Sequence, residues 1–201
     1  MNLFALIVLA YLIGSVPFAL VIGKGFYQTD VREYGSRNLG ASNSGRVLGK
    51  VAGAAVMVLD AAKVFLVVIL AVCFCDAAEA VPLGGLAAAM GHCYPVFAKF
   101  KGGKAVAGLY GFLFGLFTFV GYSPLVFFLP LAVFLGLLYC TKIIALSSMI
   151  SSVVAALYVY CAGDSVLMFG VLAILSLLIV FRHRENIKRI LKGEENKISW
   201  M

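Results

Sequence analysis

The chain has 201 residues, 63% hydrophobic and only 12% charged, with a mean hydropathy of +1.06, whereas soluble domains carry about 25% charged residues. So few charges cannot coat a water-soluble body of this size, which excludes a soluble globular enzyme and leaves lipid to cover most of the surface. Sixteen Lys and Arg against nine Asp and Glu leave a net +7, an excess that in a membrane chain reports topology before it reports a polyanionic partner.

A helix needs about 17–25 apolar residues to cross hydrocarbon, because each residue rises about 1.5 Å and every backbone polar group must bond internally. Seven stretches are candidates: Leu3 to Ile22, Val51 to Cys73, Val81 to Phe97, Ala105 to Val120, Leu125 to Tyr139, Ile143 to Ala162 and Val166 to Phe181. The third, fourth, fifth and seventh are short, so five or six full spans are the alternative. The first has no Lys or Arg before its apolar run and is expected to be a retained helix rather than a signal peptide. Five cysteines, Cys73, Cys75, Cys93, Cys140 and Cys161, lack zinc-site spacing and read as small buried thiols.

With seven crossings, Lys24, Arg32, Arg37, Arg46, Lys50, Lys99, Lys101, Lys104, Lys142 and the six basic residues after Phe181 fall on one side. The other side holds Asp76, Glu79 and Asp164. The positive-inside rule then puts the amino terminus outside and the carboxyl terminus in the cytoplasm. The fold class expected is an all-α, polytopic membrane bundle forming a single domain over 1–201. The long polar loops also face the cytoplasm, and the chemistry is expected there.

The first loop runs Gly35-Ser36-Arg37-Asn38-Leu39-Gly40-Ala41-Ser42-Asn43-Ser44-Gly45-Arg46. Such a segment can aim backbone N–H groups and Arg forks at a phosphate, or be a polar linker whose cations rest on anionic lipid. It is not a nucleotide-binding P-loop, since Arg46-Val47 stands where Lys-Ser/Thr is required. In the second span Asp60 and Lys63, at i,i+3, are expected to pair and hold the bundle, because lone intramembrane charges are costly.

The next motif is Gly91-His92-Cys93-Tyr94-Pro95-Val96-Phe97-Ala98-Lys99-Phe100-Lys101-Gly102-Gly103-Lys104. Gly102 and Gly103 permit close backbone approach, and Lys104 puts a cation at a helix N-terminus, where only an anion favours it. An ordinary positive-inside loop is the alternative, and His92 could equally be a helix-packing histidine. Ser147 and Ser148 could touch a ligand or bond to the preceding turn. In Arg182-His183-Arg184-Glu185-Asn186-Ile187-Lys188-Arg189, His183 and Asn186 share a helix face at i,i+3 and could orient a phosphate or polyol hydroxyl, unless the segment is only a basic juxtamembrane stop. No Cys/His/Asp constellation or carboxylate pair suggests covalent or general acid–base catalysis. An enzyme of this kind binds and orients anions, which suffices for transfer from an activated donor.

Together these motifs resemble the bacterial membrane acyl-phosphate:glycerol-3-phosphate acyltransferases, the PlsY family. The family's Gly-Ser-Ile/Val-Pro-Phe is similar to Gly14-Ser15-Val16-Pro17-Phe18, and its Gly-Ser-Gly-Asn-x-Gly-Ala-Thr-Asn-x-x-Arg loop to Gly35 through Arg46. Its His-x-x-Pro-Val-Phe-x-x-Phe-Lys-Gly-Gly-Lys is similar to His92 through Lys104, and its His-Arg-Glu-Asn-Ile-x-Arg to His183 through Arg189. The resemblance implies acyl transfer from acyl phosphate to the 1-hydroxyl of glycerol 3-phosphate, giving lysophosphatidic acid and phosphate, by seven helices at a cytoplasm-facing site of the inner membrane, with no metal or cofactor. Ser36, Arg46 and Lys104 would hold phosphoryl groups while His183 and Asn186 position glycerol 3-phosphate. Asn38, Asn43, Gly102, Gly103, Ser147, Ser148 and Arg184 are the further candidate substrate-binding residues. The departures are Arg37, Val64 and Ala105 where glycine is usual, Ser42 for Thr, and Ala145 for a serine.

The expected partners are acyl phosphate, glycerol 3-phosphate and membrane lipid, with no nucleic acid. Two other readings stay open: a transporter of a phosphorylated metabolite using the same basic vestibule, and a paralogous acyltransferase with another acceptor. A thioester-using acyltransferase lacks support, since Phe97 and Lys188 stand where a His-x4-Asp signature requires Asp.

Overall fold

The computed structural model describes residues 1–198 and is built from helices, with no strand among the described residues. It divides into two compact units, Met1–Gly115 and Leu116–Met201.

The first unit carries α1 (Leu3–Gly14), α2 (Phe18–Tyr27), α3 (Ala41–Leu48), α4 (Lys50–Phe74), α5 (Ala80–Cys93) and α6 (Val106–Gly115), with a 3₁₀ turn at Val96–Ala98. The expected first span is therefore broken and longer than foreseen. Pro17 lacks an N–H and its ring disfavours helix at the residue before it, so α1 stops at Gly14 and α2 resumes at Phe18. The third span is also shorter: α5 ends at Cys93, two residues before Pro95, rather than at Phe97. The first loop in turn contains a helix of its own, α3, set off from α4 by Gly49 at φ +98°.

Small residues let these helices touch backbone to backbone, the usual way to gain packing where lipid supplies no hydrophobic drive. A Cβ on Gly14 would lie 2.1 Å from the Ala88 carbonyl oxygen, and one on Gly111 2.0 Å from that of Ala61. Thus α1 meets α5 and α4 meets α6. Outward positions stay apolar, as lipid requires: Phe4, Val51 and Met57 are exposed while Leu6, Val56 and Leu109 are buried.

The second unit holds a π-helical turn (Leu116–Val120), α7 (Leu125–Thr141), α8 (Ile144–Ala162), α9 (Val166–Arg182) and α10 (Arg184–Leu191). The face of α8 toward α9 is serine-rich. Ser176 Oγ donates to Ser152 O at 2.7 Å, and Ser151 and Ser152 donate to carbonyls three residues back. In the last motif one helix does not run through: α9 ends at Arg182, His183 occupies the junction, and α10 leaves at a 58° bend.

By length and composition three helices can cross a membrane unaided: Leu3–Tyr27 with its break, Lys50–Phe74 and Ile144–Ala162; α9 with α10 would make a fourth, bent one. Val106–Val120 and Leu125–Thr141 are shorter apolar helices. The chain is a multi-pass membrane protein. The expectation of buried thiols holds for Cys75 and Cys93, whereas Cys73, Cys140 and Cys161 are exposed on apolar helices.

Candidate active site

Asn43 organises the first loop. Its amide is buried, and its Oδ1 accepts from both the N–H (2.8 Å) and the Oγ (3.1 Å) of Ser36. Its Nδ2 donates to Val31 O at 2.9 Å and Tyr34 O at 3.3 Å. One side chain thus folds residues 31–36 back onto α3 and orients Ser36, while its own polar atoms are engaged inside the loop. Gly35 at φ +59° and Arg37 at φ +57° make the reversal. The Arg37 position, where the family pattern has glycine, is thus one at which an L side chain is strained. Asp30 anchors the base of the loop: Arg32 donates to its carboxylate through Nε (2.9 Å) and Nη2 (2.6 Å), with Lys24 at 3.2 Å. The Arg32 hydrogen bonds hold the Asp30 carboxyl well below the usual carboxylate range, although its burial opposes this.

Arg46, in the last turn of α3, is exposed; its Nε donates to Ser42 O at 3.2 Å. Ser36 is also exposed and Asn38 is half-buried. The Ser44 hydroxyl, by contrast, is buried with no partner among the described residues.

The Gly/Lys loop is built around His92. The Gly103 N–H donates to His92 O at 3.0 Å, and a Cβ on Gly103 would lie 2.0 Å from His92 Nε2. A Cβ on Gly102 would lie 2.1 Å from His92 O. Both glycines are therefore required by close approach to the protein's own histidine. The loop carries positive φ at Lys99 (55°), Phe100 (60°) and Ala105 (60°), the last again where the family pattern has glycine. Lys104 is half-buried two residues before α6 begins.

Behind this loop lies an ionic cluster inside the helices. Lys63 Nζ sits 2.7 Å from Asp60 Oδ1, the pair expected from i,i+3 spacing. The structure adds three members that spacing could not indicate. Lys63 also donates to Val16 O at 2.9 Å, a carbonyl released by the break before Pro17, and its ammonium lies 5.7 Å from the Phe18 ring centre. His92 Nδ1 lies 3.5 Å from Asp60 Oδ1. The buried charge pair thus satisfies a broken helix and holds the histidine on which the Gly/Lys loop rests.

The first and Gly/Lys loops converge on one cleft. Arg32 and Arg37 from the first and Lys99 and Lys101 from the second line a polar cavity of about 300 Å³. Arg32 is committed to Asp30, while Arg37, Lys99 and Lys101 have no carboxylate in ion-pair range among the described residues. This unbalanced positive charge suits a phosphorylated anion. Arg32, Lys99 and Lys101 were not foreseen as neighbours, because their convergence spans some seventy positions of sequence.

In the second unit His183 and Asn186 are both buried, but across the bend rather than on one helix. The His183 Nδ1 donates to Ile179 O at 2.8 Å, since a carbonyl can only accept. Ser147 and Ser148 are buried and donate to Ile143 O (3.0 Å) and Ile144 O (2.8 Å), one turn back. Arg184 is exposed, its guanidinium 5.0 Å from the Phe181 ring centre and 3.8 Å from a Glu185 carboxylate oxygen.

A family model described as glycerol-3-phosphate acyltransferase matches residues 4–193. The chain belongs to this family. It is 45% identical to glycerol-3-phosphate acyltransferase of Listeria welshimeri, over all of this chain and 98% of that protein. It is 44% identical to that of Bacillus subtilis over 98% of this chain and 97% of the relative. Among solved structures it resembles PlsY, an integral membrane glycerol 3-phosphate acyltransferase, in its glycerol 3-phosphate form. The TM-score is 0.90 at 37% identity, covering 98% of this chain and 96% of that one. The lysophosphatidic acid form of PlsY matches with a TM-score of 0.87. Membership makes this chain a membrane acyltransferase of phospholipid biosynthesis.

Proposed function

We propose that this chain transfers a fatty acyl group from acyl phosphate to the 1-hydroxyl of glycerol 3-phosphate, releasing lysophosphatidic acid and inorganic phosphate. The observation that carries the reading is the near-full-length likeness to PlsY in a glycerol 3-phosphate form; the basic cleft at the meeting of the two loops suits phosphorylated substrates. Residues 1–201 act as one domain with seven membrane crossings, the amino terminus outside, and the site on the cytoplasmic face of the bacterial inner membrane.

In this reading Ser36, Arg46 and Lys104 hold phosphoryl groups, and His183 and Asn186 position the acceptor. Gly102 and Gly103 seat the Gly/Lys loop on His92 and so set Lys104, Asn43 holds the first loop together, and Asn38 and Arg184 are further contacts to substrate. Ser147 and Ser148 bond to the first turn of their own helix. The acceptor oxygen forms a bond to the acyl carbon as the carbon's bond to the phosphate oxygen breaks, and the hydroxyl proton passes to the departing phosphate. Acyl phosphate is already activated, so cations that neutralise the leaving phosphate and groups that align the hydroxyl supply the needed stabilisation.

The test is transfer to labelled glycerol 3-phosphate by purified protein, offering acyl phosphate and acyl-CoA separately. Product is expected from acyl phosphate alone, lost in Lys104→Ala and slowed but not abolished in His183→Gln. Product from acyl-CoA alone, or none from either donor in folded protein, refutes the reading.

A further inference from the structure

After α10 the chain turns at Gly193 (φ +72°) and runs back along its own helix. The Glu194 N–H donates to Arg189 O at 2.8 Å, and the Ile198 N–H donates to Lys142 O at 2.9 Å, at the turn between α7 and α8. Between these two ties sits Glu195, whose side chain is only 6% exposed although six other residues of the segment 191–197 are exposed. Burying a carboxylate costs free energy unless its oxygens are bonded. Both are: Oε1 accepts from Asn186 Nδ2 at 2.6 Å, and Oε2 from Arg189 Nε at 2.7 Å.

This contact sets the orientation of the Asn186 amide. A carboxylate only accepts, so the NH₂ end of the amide must face Glu195, which turns Asn186 Oδ1 away from the carboxylate. The end of the amide turned away from Glu195 is therefore its acceptor. His183, across the bend, is likewise pinned through Nδ1 to Ile179 O. The two groups that the reading above assigns to the acceptor are thus each oriented by a hydrogen bond to the protein.

We propose that Glu195 is a positioning residue for the acceptor polyol, acting by fixing Asn186 with its Oδ1 turned toward a substrate hydroxyl and by holding Arg189 beside it. This rests on the reading above that Asn186 positions glycerol 3-phosphate. Glu195→Gln keeps the shape but can donate as well as accept, so it no longer dictates which end of the Asn186 amide faces it.

The test uses full-length protein in detergent, with palmitoyl phosphate as donor and glycerol 3-phosphate varied. Glu195→Gln should raise KM for glycerol 3-phosphate about tenfold, the equivalent of one charge-assisted hydrogen bond at the low end of its range. The KM for palmitoyl phosphate should stay unchanged. Glu195→Asp, which keeps the charge but withdraws it by one methylene, should raise KM for glycerol 3-phosphate less, and it serves if the Gln variant fails to fold. Asn186→Ala should raise the same KM, and adding Glu195→Gln to it should cost nothing further. A wild-type KM in Glu195→Gln, or a loss that adds in full to that of Asn186→Ala, overturns the proposal. A lowered unfolding temperature with both KM values unchanged makes Glu195 merely structural and also overturns it. Wild-type KM in Asn186→Ala removes the acceptor reading itself, a failure separable from that of Glu195 because Asn186 alone reports it.

Discussion

Gly103→Ala tests whether the Gly/Lys loop is shaped by His92. The added methyl would lie 2.0 Å from His92 Nε2, 2.7 Å from Cε1 and 2.9 Å from Cδ2, against an ordinary contact that begins at 3.4 Å. Something must move by roughly 1.4 Å, the difference between 3.4 and 2.0 Å. The ring is poorly able to give way, being 5% exposed and held 3.5 Å from Asp60 Oδ1, with its own carbonyl bonded to Gly103. The loop yields instead, and Lys104, the next residue, moves with it. A misplacement of about 1 Å can cost about 10²-fold in rate, or about 2.7 kcal/mol of transition-state stabilisation. Acyl transfer to labelled glycerol 3-phosphate measures kcat/KM, and a thermal unfolding midpoint in detergent separates lost activity from lost fold. In a His92→Ala background the methyl has room, so the same substitution should cost less than threefold there. A Gly103→Ala enzyme within twofold of wild type, or an equal loss in both backgrounds, refutes the argument.

Ala105→Gly should stabilise the protein by about 1 kcal/mol, because a buried alanine at φ +60° bears a strain that glycine does not; a lowered unfolding midpoint would contradict this. Lys63→Met leaves Asp60 buried and the Val16 carbonyl unsatisfied, and should cost about 3–5 kcal/mol, whereas Asp60→Asn/Lys63→Met should recover part of that loss in the same unfolding assay. Asp30 is depressed in the folded state, so its contribution is present above its unfolded value of about 4 and is lost as pH falls from there through the lower folded value. The unfolding midpoint of Asp30→Asn should therefore fall less steeply below pH 4 than that of the wild type. Arg37→Gly relieves a positive φ and removes one cation from the basic cleft, and should stabilise the fold while weakening binding of inorganic phosphate measured by calorimetry.

Hydropathy alone determined that this chain is helical and lipid-covered, since a long apolar run can satisfy its backbone in lipid only by bonding to itself. Local spacing was equally legible: Asp60 and Lys63 pair because i,i+3 residues of a helix are neighbours, whatever the rest of the chain does. The polar loops announced themselves by composition, and two departures from the family pattern, Arg37 and Ala105, fall where the backbone enters the left-handed region. Helix ends were less legible, because Pro17 and Pro95 act within an unbroken apolar stretch that hydropathy reads as continuous. What only the tertiary structure decided are contacts between distant positions: Lys63 on Val16 O, His92 on Asp60, Arg32 and Arg37 opposite Lys99 and Lys101, and Glu195 on Asn186 and Arg189. No periodicity encodes these partners. In the buried contacts each polar group had to find whichever complementary atom the packing of apolar faces brought within reach, and in the cleft the fold of two loops brought four cations together.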